Sequence, residues 1–181
     1  MERSAQGRAI FLLVGCLAAM LLASWAPPFY GNSEGEILRG LRREMGLRME
    51  DQIRLLEIRD EGEDRFVVFC GEHKRPDDRW IIRFRKNEAG DYEPYGIAKR
   101  MMQRRAYYLQ PLSGYSGDPE VCYAIWNESE QLMEARFRPN DGPTETVRVA
   151  PAPSLTVWRF QGGEDGWHLE SHYYDSAGNQ M

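Results

Sequence analysis

Cysteine is scarce in this chain: three residues among 181. One of them, Cys16, lies in an apolar N-terminal run, which leaves Cys70 and Cys122 for everything else. Neither has a close second ligand, so a structural zinc site is excluded. Each stands in an apolar strand-like run, FVVFC and VCYAIW. Two readings stay open: a disulfide in an oxidising compartment, or two separate buried thiols acting as small hydrophobes. Catalytic signatures are also missing. There is no P-loop and no dinucleotide fingerprint. No Ser-x-x-Lys pattern occurs, and Gly114-Tyr115-Ser116-Gly117 fails the nucleophile-elbow spacing because Asp118 stands where the last glycine belongs. A Cys–His enzyme needs an exposed cysteine, and both cysteines sit in apolar runs. No cofactor is implied. Internal repeats and low-complexity segments are absent.

Basic excess is absent as well. Residues 1–31 hold two of the 23 basic and one of the 28 acidic side chains, so the remainder carries a net charge of about −6. Nucleic acid, which wants a basic surface, is excluded as a partner.

What is present is a long uncharged run. Residues 9–26 read AIFLLVGCLAAMLLASWA, preceded by Arg3 and Arg8 and closed by Pro27-Pro28. As a helix these eighteen residues span about 27 Å, close to the ~30 Å of a bilayer core. The charge bias puts residues 1–8 in the cytoplasm and the rest outside. Trp25, Phe29 and Tyr30 fall where an interfacial aromatic belt sits. A single-pass anchor is the leading reading. A cleaved signal also fits, although Pro27 would follow the best small-residue site, Ser24-Trp25-Ala26. Leu13-Val14-Gly15-Cys16 resembles a bacterial lipobox, which would make Cys16 a lipidation site, but ten mostly apolar residues follow it. The expected location is the cell membrane, single-pass, with the C-terminal part outside.

Residues 27–33 read as a linker, and 34–181 as one extracytoplasmic domain. Ser33 with Glu36 forms a capping box ahead of Ile37, Leu38 and Leu41, so a membrane-proximal helix is expected over about 34–45, stopped by Gly46. The hydrophobic period then changes to two. Strands are expected near 53–59, 65–70, 79–86, 92–98, 121–126, 132–138, 147–149, 155–160 and 167–174. Residues 99–110 suit either strand or helix. The runs at 65–70 and 121–126 are apolar on both faces, as in central strands. In 79–86, Trp80, Ile82 and Phe84 share one face, Arg83 and Arg85 the other. The fold class is mainly β: an antiparallel sandwich or partly closed barrel with one N-terminal helix, preceded by a transmembrane helix.

The segments WIIRFRKNEAGDYEPYG (80–96) and HYYDSAGNQ (172–180) place a Lys-Asn-Glu-x-Gly turn before a tyrosine-started strand, and a Tyr-Asp-x-x-Gly-Asn turn near the end. In these turns the outer domain resembles small membrane-anchored extracytoplasmic proteins of bacteria. The resemblance implies an anchored β-domain and carries over no catalytic residues.

Three constellations remain. His168, Glu170 and His172 fall at i, i+2 and i+4, one face of a strand, where imidazoles and a carboxylate can hold a divalent metal. The same positions are the solvent side of an amphipathic strand. Lys99, Arg100, Arg104 and Arg105 flank Met101-Met102 and make a docking patch for an anionic partner, or a solvated rim. Arg39, Arg42 and Arg43 on the helix add to a lipid-facing reading. Carboxylates in 57–64 read as solubilising charge at a hairpin turn, and Asn127-Glu128-Ser129 matches the glycosylation sequon. The leading expectation is a non-enzymatic module that binds a protein, the cell envelope or the membrane surface. The alternative is a surface hydrolase or metal-dependent enzyme using the His168, Glu170 and His172 face with Asp175.

Overall fold

The computed structural model describes residues 29–46, 51–71, 77–104, 107–113, 119–162 and 166–181. The apolar run at 9–26, with Cys16, lies outside them, as does Arg105. Among the described residues no helix is long and apolar enough to cross a membrane.

One helix, α1 (Glu34–Glu44), forms where the cap predicts it. The Ser33 hydroxyl accepts from the Glu36 N–H at 3.4 Å. The reciprocal half of the box does not form, and Glu36 Oε2 is buried without a partner. Acidic Glu34 and Glu36 sit in the first turn and basic Arg42 and Arg43 in the last, as the helix dipole favours.

Among the described residues the remaining regular structure is strand, and every pairing is antiparallel. Sheet A holds β1 (Ile53–Glu61), β2 (Asp64–Gly71), β3 (Trp80–Lys86) and β4 (Tyr92–Pro94) in that order, with β5 (Lys99–Arg100) also on β3. The next three strands in sequence are β6 (Met102–Arg104), β7 (Tyr107–Ser113) and β8 (Glu120–Asn127). Sheet B orders β11 (Ser154–Gln161), β8, β7, β6. Sheet C places β9 (Leu132–Pro139) between β10 (Glu145–Arg148) and β12 (Leu169–Asp175). Within the segment 99–110, the described residues 99–100, 102–104 and 107–110 are strand, split between sheets A and B around the buried Met101.

These sheets stack, and no closed barrel forms among the described residues. Successive residues of a strand face opposite ways, so β2 and β3 offer two apolar faces. Val67, Phe69, Ile82 and Phe84 pack under Ile37 and Leu41 of α1. Phe66, Val68 and Ile81 meet Leu112, Cys122, Ala124, Trp126 and Leu155 of sheet B. The other face of sheet B, with Tyr123, Ile125 and Trp158, packs on Ala135, Phe137 and Tyr173 of sheet C. The order of layers is therefore α1, A, B, C. The expected antiparallel sandwich holds with three stacked sheets, because β8 is buried along seven consecutive residues, Val121 to Asn127, and needs a cover on each side.

Local turn chemistry supports the hairpins. Asn140 and Asp141 both carry positive φ (49° and 56°) at the centre of a turn that the Gly142 N–H closes on the Pro139 carbonyl (2.8 Å), within the connection from β9 to β10. Asn87 Oδ1 accepts from the Ala89 and Asp91 N–H groups to shape the β3–β4 turn.

The start of the described chain is locked to sheet A. The Phe29 ring lies edge-on to Phe84, centroids 5.3 Å apart. A Cβ on Gly40 would fall within 1.8 Å of the Phe29 ring, so only glycine permits this seat. The Gly31 N–H donates to the Tyr92 carbonyl (2.7 Å), and Arg65 donates to the Gly31 carbonyl (2.7 Å).

Cys70 and Cys122 are free, buried thiols on β2 and β8. Burial pushes the Cys122 thiol up to about 12 against the lowering pull of Arg83 and Arg159. Both thiols should resist alkylation in the folded protein and react after denaturation without reductant. A requirement for reductant would contradict their free state.

Candidate functional site

The A–B interface is apolar along most of its length and ends in charge. Asp64 opens β2 opposite Arg85 of β3, and Arg83 stands opposite Phe66. On sheet B, Cys122 of β8 is opposite Arg159 of β11. Positions 64, 83, 85, 120 and 159 all face the interface by strand alternation. They meet at one end of it.

Asp64 is the hub. Its carboxylate accepts from Arg83 Nη2 (2.7 Å), Arg85 Nε (2.9 Å) and Arg159 Nη1 (2.6 Å). Glu120 Oε1 accepts from the same three guanidiniums at 2.5, 3.1 and 3.1 Å. Arg83 and Asp64 are both 2% exposed. A buried charge is tolerated only when paired and hydrogen-bonded, and here the pairing is shared among five groups. The Arg83 Nε and Nη1 are buried without a hydrogen-bond partner among the described residues. Its guanidinium instead lies 4.8 Å from the Tyr95 ring centroid.

The electrostatics follow the geometry. Burial alone would raise the Asp64 carboxyl, but hydrogen bonds from Arg83, Arg85 and Arg159 outweigh it and hold it down at about 2. Glu120 is likewise lowered: burial pulls up, while Arg83 and Arg159 pull down harder. Both stay ionised at neutral pH. The cluster therefore holds three guanidiniums against two carboxylates, one positive charge in excess.

Above this floor lies an open cleft of about 670 Å³, walled by Glu61, Glu63, Lys86, Arg85, Glu120 and Arg159. The volume falls within the range of small-molecule sites.

Asp64, Glu120 and Cys122 also bring three potential metal-ligand atoms within 4.8 Å of one another. A cation is a poor fit there. The carboxylate oxygens already serve three guanidiniums, and a thiol pushed up to about 12 stays protonated, whereas a metal binds the thiolate.

The other sequence candidates lie elsewhere. Glu170 and His172 are on the outer face of sheet C, where His172 Nε2 sits 3.0 Å from Glu170 and its Nδ1 3.1 Å from Gln180. His168 precedes β12 and is exposed, its N–H given to Asn140 Oδ1. Asp175 folds the last turn by accepting from the Ala177 and Asn179 N–H groups, so it does not join that face. Lys99 and Arg100 are on β5 of sheet A and Arg104 on β6 of sheet B. Arg100 is paired with Asp78 at 2.9 Å. Asn127 is fully buried and donates to the Leu132 and Ala150 carbonyls, which removes the sequon from any glycosylating enzyme in the folded protein.

Arg83 stands on the side of β3 that sheet B covers. One expectation from the sequence is corrected. The carboxylates of 57–64 are not all solubilising: Asp64 is the hub, and Glu57 accepts the Leu155 N–H at 2.9 Å, tying β1 to β11. No family model, no curated protein and no solved structure matches this chain.

Proposed function

We propose that the chain is a non-enzymatic binding module, tethered to the membrane by residues 9–26 and displaying its β-domain outside. Its ligand site is the charged cleft between sheets A and B. One observation carries the binding reading: an open cleft whose floor is a preorganised set of paired charges. Arginines cannot serve as general bases at neutral pH, and they hold both carboxylates below the usual range, which makes them weak bases. Such a floor recognises charge and does not move protons. The apolar run and its basic flank support the tether.

The tether is tested by the intact mass of native protein recovered from the membrane fraction. An unclipped N-terminus agrees with a tether at residues 9–26, whereas lipid mass on Cys16 after cleavage before it replaces that tether with a lipid anchor and overturns the single-pass topology. Loss of about 26 residues without lipid, with the protein in the medium, overturns the tether.

A further inference from the structure

We propose that the cleft binds a phosphoryl group, and that Glu120 is the built-in occupant of that group's place. The inference deepens the binding reading above and rests on it. Asp64 and Glu120 contact the same three guanidiniums, but they are not equivalent. The Asp64 side chain is 3% exposed and the Glu120 side chain 25%. Asp64 is fixed in the floor. Glu120 stands on the cleft wall, at the first residue of β8.

Charge balance selects the ligand. Within the floor, with Glu120 set aside, Arg83, Arg85 and Arg159 against Asp64 leave two positive charges, and Glu61, Glu63 and Lys86 stand around them on the wall. Glu120 neutralises one of the two charges. A phosphate monoester carries roughly −1.5 to −2 at neutral pH and offers three acceptor oxygens to guanidinium forks. It therefore matches the floor better than the carboxylate it displaces. Lys86 lines the rim with its ammonium 5.4 Å from the Tyr92 ring centroid, and adds positive charge beside the cleft.

The position also fits a phosphate at a membrane surface. The chain from the apolar run reaches this end of sheet A: Gly31 is bonded to Arg65, beside Asp64, and to Tyr92, the strand partner of Lys86. From Ala26 to the seated Phe29 there are three Cα–Cα steps, at most about 11 Å. Tethering would hold the cleft close to lipid phosphates, so headgroup and soluble phosphate esters are two sources of one chemistry.

The test is calorimetric titration of the full chain in phosphatidylcholine nanodiscs with glycerol 3-phosphate, at about pH 7.5 where the ester is dianionic. Saturable binding is expected, tightened roughly tenfold by Glu120→Gln and weakened at least tenfold by Arg159→Gln, since charge-assisted bonds are gained or lost. Lys86→Gln, at an exposed position, should weaken binding about threefold and decides the matter if the buried variants fail to fold. In nanodiscs containing phosphatidic acid, weaker apparent binding of the soluble ester identifies the headgroup as the occupant. Unchanged binding there identifies a free ester. Either supports the phosphoryl site. Absence of saturation up to about 10 mM, ten times a millimolar constant, overturns it. So does a folded Glu120→Gln variant, or a Lys86→Gln variant where the buried variants do not fold, that binds no differently from the parent. The tether reading fails separately, on the mass measurement alone.

Discussion

Asp64→Asn should cost about 3–5 kcal/mol of folding stability, the size expected when one partner of a buried ion pair is removed. The asparagine keeps the shape but withdraws the charge that three guanidiniums share, leaving Arg83, 2% exposed, to rely on Glu120. Denaturant unfolding of the two proteins at pH 7 measures the loss. The pH dependence carries a second signature. The Asp64 carboxyl is at about 2 in the folded protein and near 3.9 when unfolded. Its folded pKa is depressed, so its contribution is complete above about pH 4 and is lost as pH falls towards 2. The unfolded chain binds the proton first, and acid favours it. The loss amounts to roughly 2–3 kcal/mol. Asp64→Asn should lack that component. Glu57 works in the opposite sense: burial raises its pKa, so its contribution is present at low pH and fades as pH rises through the folded value. An Asp64→Asn protein as stable as the parent at pH 7 would remove the cluster from the energetics of the fold.

Phe137→Ala should cost a similar amount, about 3–5 kcal/mol, for a different reason. Phe137 is fully buried and stacks on Trp158, with ring centroids 4.5 Å apart and planes 11° apart. Tyr123 and Tyr173 close around it at 5.1 and 6.2 Å. These rings come from β8, β9, β11 and β12, so one side chain joins sheets B and C. Alanine leaves a cavity that the three remaining rings cannot collapse to fill. A fall in Tm on the order of 10 °C is expected for a domain of this size. Phe137→Leu should recover more than half of it. The two losses should add, since one substitution acts on the A–B layer and the other on the B–C layer.

Much of the β framework is legible in the chain. The apolar period of two marks β1, β3, β9 and β12, and Ser33 marks the start of α1. The outward Glu170 and His172 and the inward Tyr173 follow from alternation alone. The layer order does not. A run such as VCYAIW says that both faces are covered, but nothing in it says by which sheets. The site was hidden for the same reason. Arg83 and Asp64 are 19 residues apart, and Arg159 and Asp64 are 95 apart. Period two makes Arg83 and Arg85 look like the wet side of an amphipathic strand, and only the presence of sheet B reverses that. One local signal was available. DRFVVFC, EVCYAIW and LTVWRFQ each carry a charge at the edge of, or inside, a run that is otherwise apolar on both faces. A charge in such a place needs a partner of opposite sign, and three such runs supply each other's.

The central claim is that the charges between sheets A and B form a ligand site and not only a structural clasp. The most direct measurement is the arginine Nε–H NMR spectrum of the full chain in neutral nanodiscs during addition of glycerol 3-phosphate. Saturable shifts confined to Arg85, Arg159 and Arg83 are expected, with Arg136 and Arg138 of sheet C unmoved. Shifts spread evenly over all exposed arginines, or none at the cleft, would contradict that claim.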